Sequence, residues 1–256
     1  MRFKLTLQLL PELKGRTIPI NYQHELSSAI YRIFSNGNAD YASWLHNNGF
    51  QIENKRFKLF TFSRLIVPYG IDKEKARLIL KSTKIEWYIT FLPEKSTKEF
   101  IEGIFKDQQF EIADTISGAA FRINEIQIVP ELDYTHDTVF ATLSPICISR
   151  KNEQGKTDYL SPSHPLYTQG ILTGLLAKYQ ILTGNSYEGE AYCNLHVLNE
   201  PRSSLVTIKK GTKAETRVRG FSYRFRIELP EKLMQIAYES GIGEKGSQGF
   251  GMIKTI

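Results

Sequence analysis

The chain has 256 residues, 41% of them hydrophobic, a formal net charge of +6 and two cysteines, Cys147 and Cys193. That length can build one large or two ordinary cores, and the absence of any C-x-x-C excludes a disulfide-stapled scaffold and a structural zinc site of the usual spacing. No apolar run reaches the roughly 18 to 20 residues that span a bilayer, so a soluble, cytoplasmic protein is expected.

The first predicted strand is "RFKLTLQLL", where Phe3, Leu5, Leu7 and Leu9 alternate with Arg2, Lys4, Thr6 and Gln8. A helix follows in "YQHELSSAIYRIF", because Leu26, Ala29, Ile30, Ile33 and Phe34 recur at helical spacing; Tyr31 lies off that stripe. A short second helix fits "NADYASWLHNN", capped by Asn38, packed through Tyr41, Trp44 and Leu45, and stopped by Gly49. His46 points away from its apolar side. Strands are then expected in "KLFTFSRLIV", "ARLILKST" and "KIEWYITFLP", a helix in "STKEFIEGIFKD", and a strand in "FRINEIQIVPE". Apart from the extra short helix this is β-α-β-β-α-β, the order of a ferredoxin-like unit.

The second half repeats the order. It offers a strand in "TVFATLSPICIS", a helix from a Ser163 cap to a Gly184 stop, strands in "AYCNLHVLN" and "FSYRFRIELP", a helix in "PEKLMQIAYESG" and a final strand in "FGMIKTI". The fold class expected is α+β, two tandem ferredoxin-like (βαββαβ) domains, residues 1–132 and 133–256. Between the repeated elements lies a hairpin pattern, "LVTIKKGTKAETRVRG". From Arg202 to Arg226 there are eight basic residues against the single acid Glu215, a net of +7, so the rest of the chain sums to −1. The basic character belongs to one region and suggests a polyanionic partner.

Five glycines stand between Gly241 and Gly251 in "GIGEKGSQGFG". A G-x-G-x-x-G match is present, but no helix follows it before the sequence ends, and Ser247-Gln248 stand where a P-loop needs Lys and Ser/Thr; nucleotide-cofactor binding is a poor fit. The plain alternative is a tight turn before the last strand.

The full pattern is G-h-G-x5-G-h-G, filled by Gly241, Ile242 and Gly243, then "EKGSQ", then Gly249, Phe250 and Gly251. With "RFKLTL" at the start and "TLSPI" at residues 142–146, it resembles the CRISPR-associated endoribonucleases that cut precursor CRISPR RNA at its repeats, members of the repeat-associated mysterious protein (RAMP) superfamily. The resemblance covers nearly the whole chain. It implies two ferredoxin-like domains and cleavage without a metal or other cofactor. The RNA's own 2′-OH attacks the adjacent phosphorus, leaving a 2′,3′-cyclic phosphate and a 5′-OH.

On the positions of this sequence that match the family, the resemblance implies three catalytic residues in the first domain. His46 in "SWLHNNG" is the main proton-transfer group, Tyr31 in "SSAIYRIF" its partner across the scissile phosphate, and Lys58 in "KLFT" the stabiliser of phosphorane charge. Which of His46 and Tyr31 is the base stays open, and Lys55, in the same "NKRFK" cluster, is the rival of Lys58. His24, His136, His164 and His196 have no comparable neighbourhood. The resemblance also places RNA against the glycine loop, with Gly241, Gly243, Gly249 and Gly251 offering backbone N–H groups and Lys245 its ammonium. The basic hairpin would follow the phosphates of the repeat's stem through Lys209, Lys210, Lys213, Arg217 and Arg219, with Arg224 and Arg226 on the next strand.

The partner expected is CRISPR repeat RNA and its processed product; delivery to a CRISPR interference complex and pairing as a homodimer are left open, and no membrane is implied. The competing reading is a non-catalytic subunit that holds CRISPR RNA in a ribonucleoprotein complex.

Overall fold

Strand β1 (Arg2–Leu9) has the alternation its sequence dictates: Phe3, Leu5, Leu7 and Leu9 are buried, while Lys4, Thr6 and Gln8 are partly exposed. The computed structural model describes residues 1–53, 55–208 and 215–256. By packing the chain divides into two units, Met1–Asn47 with Ser63–Pro130 and Asn48–Phe62 with Glu131–Ile256. Both halves have the ferredoxin-like architecture of the α+β class.

In the first unit, β1 is followed by α1 (Gln23–Gly37), α2 (Ala39–Asn47), β2 (Lys84–Phe91), α3 (Glu94–Lys106), β3 (Gln109–Ala113) and β4 (Gly118–Ile128). β1 runs antiparallel between β2 and β4, with Leu5 opposite both Trp87 and Ile126, and β3 extends the sheet beyond β4. The core is aromatic: Phe34 of α1 meets Phe91 at 5.5 Å and Phe100 at 5.8 Å between ring centres. Two glycines let α1 and α3 cross at backbone contact. A Cβ on Gly103 would lie 1.8 Å from the Ile33 carbonyl oxygen, and one on Gly37 would lie 2.2 Å from that of Glu99. Asn38 ends α1 and caps α2, its side-chain oxygen accepting from the Tyr41 N–H at 2.9 Å.

In the second unit the corresponding elements are β5 (Asp137–Thr142), α4 (Tyr167–Thr183), β6 (Asn194–Val197), β9 (Arg224–Glu228), α5 (Glu231–Ser240) and β10 (Ile253–Thr255); the hairpin of β7 (Arg202–Ile208) and β8 (Thr216–Ser222) is inserted before β9. The sheet order β6-β9-β5-β10 is that of a ferredoxin-like unit. α4 begins at Tyr167 rather than at the expected Ser163 cap, because residues 161–166 form tight turns closed by the bonds His164 N–H to Ser161 O and Tyr167 N–H to His164 O. Its C-terminus is as expected, with Gly184 left-handed at φ 74.

The residues 48–62 belong with the second unit, whereas a single cut between 132 and 133 assigns them to the first. The reason is local: the Thr61 hydroxyl donates to the Phe250 carbonyl at 2.7 Å, and a Cβ on Gly246 would lie 2.6 Å from the Phe60 carbonyl oxygen.

Gly251 has φ +82, and a Cβ there would lie 2.1 Å from the Ile242 carbonyl oxygen, whereas Gly155, at φ +74, has nothing within 4 Å of its Cβ position. Both replacements carry the left-handed backbone cost, and only Gly251 adds a clash with main chain. Gly251→Ala is expected to destabilise by ~3 kcal/mol and Gly155→Ala by ~1 kcal/mol in urea unfolding.

Candidate active site

α1 buries Leu26, Ala29, Ile30, Ile33 and Phe34, which leaves Tyr31 half-buried at the margin of the stripe. α2 buries Tyr41, Ala42 and Leu45, which turns His46 outward. The two rings meet there: Tyr31 and His46 are 5.1 Å apart, edge to face at 84°. His46 Nδ1 lies 3.1 Å from the side-chain oxygen of Asn47, whose amide donates to Ser43 Oγ at 3.3 Å. Since a side-chain amide oxygen can only accept, Nδ1 is the donor in this pairing. Asn47 was not singled out in the sequence, although its place beside His46 in "LHNNG" is the signal that could have found it.

Lys58 lies in the second unit, just after the small hairpin that pairs Phe50–Ile52 with Lys55–Phe57. Gly49, three residues after His46 in the chain, has φ +62, and a Cβ there would lie 2.9 Å from Lys58 Cδ and 3.0 Å from its Nζ. The lysine's stem therefore runs over bare backbone. Desolvation, followed by the neighbouring Arg56 charge, pushes the Lys58 ammonium down to about 8. Lys55 is exposed, so of the two rival lysines Lys58 is the one held against the protein.

The glycine loop departs from expectation. Its amides are largely used inside the protein: Ile242 N–H donates to Gly251 O at 2.8 Å, Gly249 N–H to Gly246 O at 2.9 Å and Gly251 N–H to Pro145 O at 2.8 Å. The amides of Gly249 and Gly251 are thus committed internally rather than aimed at phosphate. The side chains are missing for the sake of close packing, since a Cβ on Gly241 would meet Gly251 O at 2.9 Å and one on Gly243 would meet Cys147 O at 2.5 Å. Gly241, Gly249 and Gly251 are buried, and Gly243 and Lys245 are half-buried. Glu244 fastens the loop from one side, accepting from Ser149 N–H at 3.0 Å and Ser149 Oγ at 2.7 Å. From below, the buried Lys178 donates to the carbonyls of Gly241 at 2.6 Å and Ser240 at 3.4 Å, and burial pushes its ammonium down to about 7.

Of the basic residues, Arg217 and Arg219 are exposed on β8 opposite Thr207 and Leu205, and Arg224 and Arg226 are exposed on β9. Arg226 is already engaged, its Nε donating to Asp137 at 2.8 and 3.0 Å and its Nη2 completing the fork, which holds the Asp137 carboxyl below its usual range. Arg219 Nη1 donates to Ser203 Oγ at 2.8 Å. Lys209, Lys210 and Lys213 lie outside the described residues. Among the described residues, no group of three or more His, Cys, Asp or Glu could hold a metal ion, and no helix is long and apolar enough to cross a membrane.

Residues 17–127 match the family model "CRISPR-associated protein Cas6, N-terminal", and residues 127–255 match "CRISPR associated protein Cas6, C-terminal". The chain belongs to the Cas6 family. It is similar to the CRISPR-associated endoribonuclease Cas6 of Pyrococcus furiosus, 27% identical over 100% of this chain and 90% of that one. It is also similar to the endoribonuclease-like protein Cas6nc of Pyrococcus horikoshii, 25% identical over 99% of each chain. The solved structure of a Cas6-related gene product from Pyrococcus furiosus superposes with a TM-score of 0.84 at 27% identity, covering 100% of this chain and 98% of that one. A structure described as a RAMP protein binding different RNA substrates superposes at 0.81 with 26% identity, covering 100% and 99%.

Within this Cas6 chain the depressed Lys58 has a sign that can be checked. Between its folded value of about 8 and the ordinary 10.5, the unfolded chain keeps a proton that the folded chain has released, so stability rises with pH across that window. Below about 8 both states are protonated and folding bears the whole desolvation cost. Urea unfolding should show that rise in the wild type and a smaller one in Lys58→Met.

Proposed function

We propose that this chain is an endoribonuclease that cuts precursor CRISPR RNA at its repeats, by attack of the RNA's 2′-OH on the adjacent phosphorus and without a metal ion. The observation that carries the reading is the Tyr31–His46 pair: an exposed imidazole, its Nδ1 3.1 Å from the Asn47 side-chain oxygen, in edge contact with a half-buried phenol. Endoribonuclease names among its Cas6 relatives support the same reading.

In the proposed step the O2′–P bond forms and the P–O5′ bond breaks, giving a 2′,3′-cyclic phosphate and a 5′-OH. One proton leaves the 2′-OH and one arrives at O5′, the transfers assigned to His46 and Tyr31. A neutral His46 takes the proton at Nε2; a protonated one gives it from the same atom, and Tyr31 serves the opposite oxygen. The additional negative charge on the phosphorane falls to Lys58, whose partly desolvated ammonium acts in a medium that screens it less than water does. Exposed Arg217, Arg219 and Arg224 supply phosphate contacts along the RNA, and Lys245 adds one at the glycine loop.

The second reading is a non-cleaving subunit that holds CRISPR RNA; it is favoured by the relative named endoribonuclease-like, at 25% identity. The two separate in one assay. End-labelled repeat RNA from the source organism's CRISPR array is incubated in excess EDTA with wild type, with His46→Ala, and with a substrate carrying 2′-deoxy at the cut nucleotide. Cleavage by the wild type alone, with His46→Ala slower by about 10² to 10⁴-fold and the 2′-deoxy RNA intact, is the expected result. Binding without any cut rejects the catalytic reading in favour of the RNA-holding one.

The Lys58 assignment predicts a pH profile. Cleavage should decline as pH rises through about 8, where the ammonium is lost, and Lys58→Arg, which stays charged, should move that decline upward while lowering the plateau. An unchanged alkaline limb in Lys58→Arg would remove Lys58 from the mechanism.

A further inference from the structure

Among the described residues, four that are not glycine have a left-handed backbone: Glu53, Leu59, Ala76 and Lys245. Glu53 directly follows the strand Phe50–Ile52, Ala76 directly precedes the strand Arg77–Leu80, and Lys245 belongs to the glycine loop; none of these three is buried. Leu59 differs. It has φ 55, is 3% exposed, and follows Lys58 in the step from the strand Lys55–Phe57 to the strand Phe60–Phe62. A bulky side chain in this conformation crowds its Cβ against the carbonyl that follows, so the conformation persists only where the surroundings hold it. Here they do. Leu59 is followed by Phe60, Thr61 and Phe62, all buried; the Phe60 carbonyl lies against Gly246, and the Thr61 hydroxyl donates to the Phe250 carbonyl.

The kink decides the direction of Lys58. Alternate side chains of an extended chain share a face, so an extended residue 59 would carry Lys58 to the side of Phe60, which is 1% exposed. With residue 59 left-handed the alternation breaks. Leu59 and Phe60 enter the interior one after the other, and Lys58 stays half-buried with its stem over Gly49.

We propose that Leu59 is the positioning residue for Lys58: its buried side chain holds the left-handed step that keeps the lysine out of the interior and over Gly49. The proposal rests on the part given to Lys58 above and deepens it by naming what aims that amine. Being buried, Leu59 has no surface to offer RNA, so it acts only through Lys58. A displacement of about 1 Å at a reacting group can cost about 10²-fold in rate, so even a small loss of hold is read in cleavage.

The test is a double-mutant cycle on cleavage of the repeat RNA used above by the full-length protein, in excess EDTA and under single turnover with protein in excess. Leu59→Ile keeps the apolar volume but branches at Cβ, which the left-handed conformation tolerates worst; Leu59→Met keeps an unbranched Cβ and is the conservative rescue. The expected result is that Leu59→Ile cuts ~10 to ~100-fold more slowly while binding RNA within about twofold of wild type, that Leu59→Met cuts within about threefold of wild type, and that Leu59→Ile added to Lys58→Met brings no further loss. Leu59→Gly meets no left-handed cost but lacks the anchoring side chain; it takes the place of Leu59→Ile if that variant does not fold, and the same loss, again absent in Lys58→Met, is expected of it. Wild-type rates in these variants, or an equal loss with and without Lys58, overturn the positioning role and leave Lys58 in its own. Lys58→Met cutting at the wild-type rate overturns both.

Discussion

The amide of Ile242 donates to the carbonyl of Gly251 at 2.8 Å, and the two stretches of main chain run so close that a single methyl on Gly251 would lie 2.1 Å from Ile242's own carbonyl oxygen. The second ferredoxin-like unit hangs on that approach. It lets the chain leave the end of α5, turn within about ten residues, and bring β10 back beside β5, which completes the sheet β6-β9-β5-β10. It also puts Phe250 and Met252 into the core, both fully buried. The same turn holds residues 60–62, through Thr61 on the Phe250 carbonyl and through Phe60 against Gly246. Lys58 stands two residues before Phe60. What the glycines remove in side chain they return as position, for a lysine almost two hundred residues earlier in sequence.

The first unit solves a similar problem with helices. Gly37 and Gly103 allow α1 and α3 to cross at backbone contact, and the aromatic cluster of Phe34, Phe91 and Phe100 fixes the roll of α1 beneath them. With α1 so placed, Tyr31 can occupy only the margin of the buried stripe. α2 then starts from the Asn38 cap and carries His46 to the Tyr31 ring. The pair is a consequence of core packing, and neither residue needs a flexible loop to reach the other.

Much of this was legible in the sequence. Alternation in β1, the stripe of α1, the Asn38 cap and the Gly184 stop are local, and each survives because packing agrees with it. The C-terminal glycine pattern, with "RFKLTL" at the start and "TLSPI" at residues 142–146, carried the resemblance to the family. Trp44 shows where periodicity stops short: spacing placed it on the buried stripe, but Tyr41 already fills the depth of that stripe and Trp44 is left at its mouth. The loop shows a second limit. Glycine count announces close approach, yet whether the approaching atoms are phosphate oxygens or the chain's own carbonyls is a long-range matter, decided here by Pro145, Cys147 and Ile242. Nor could the basic run reveal that Arg226 is spent on Asp137, which lies 89 residues away in sequence.

Lys178 sits beneath all of this with its amine sealed from water, gripping the last carbonyls of α5 where the glycine loop begins. A primary amine held near neutrality is intrinsically nucleophilic, and only enclosure keeps it silent. Its rate of acylation by a small electrophile would thus count openings of the α5 terminus one by one, a sentinel for breathing motions that no surface lysine could provide.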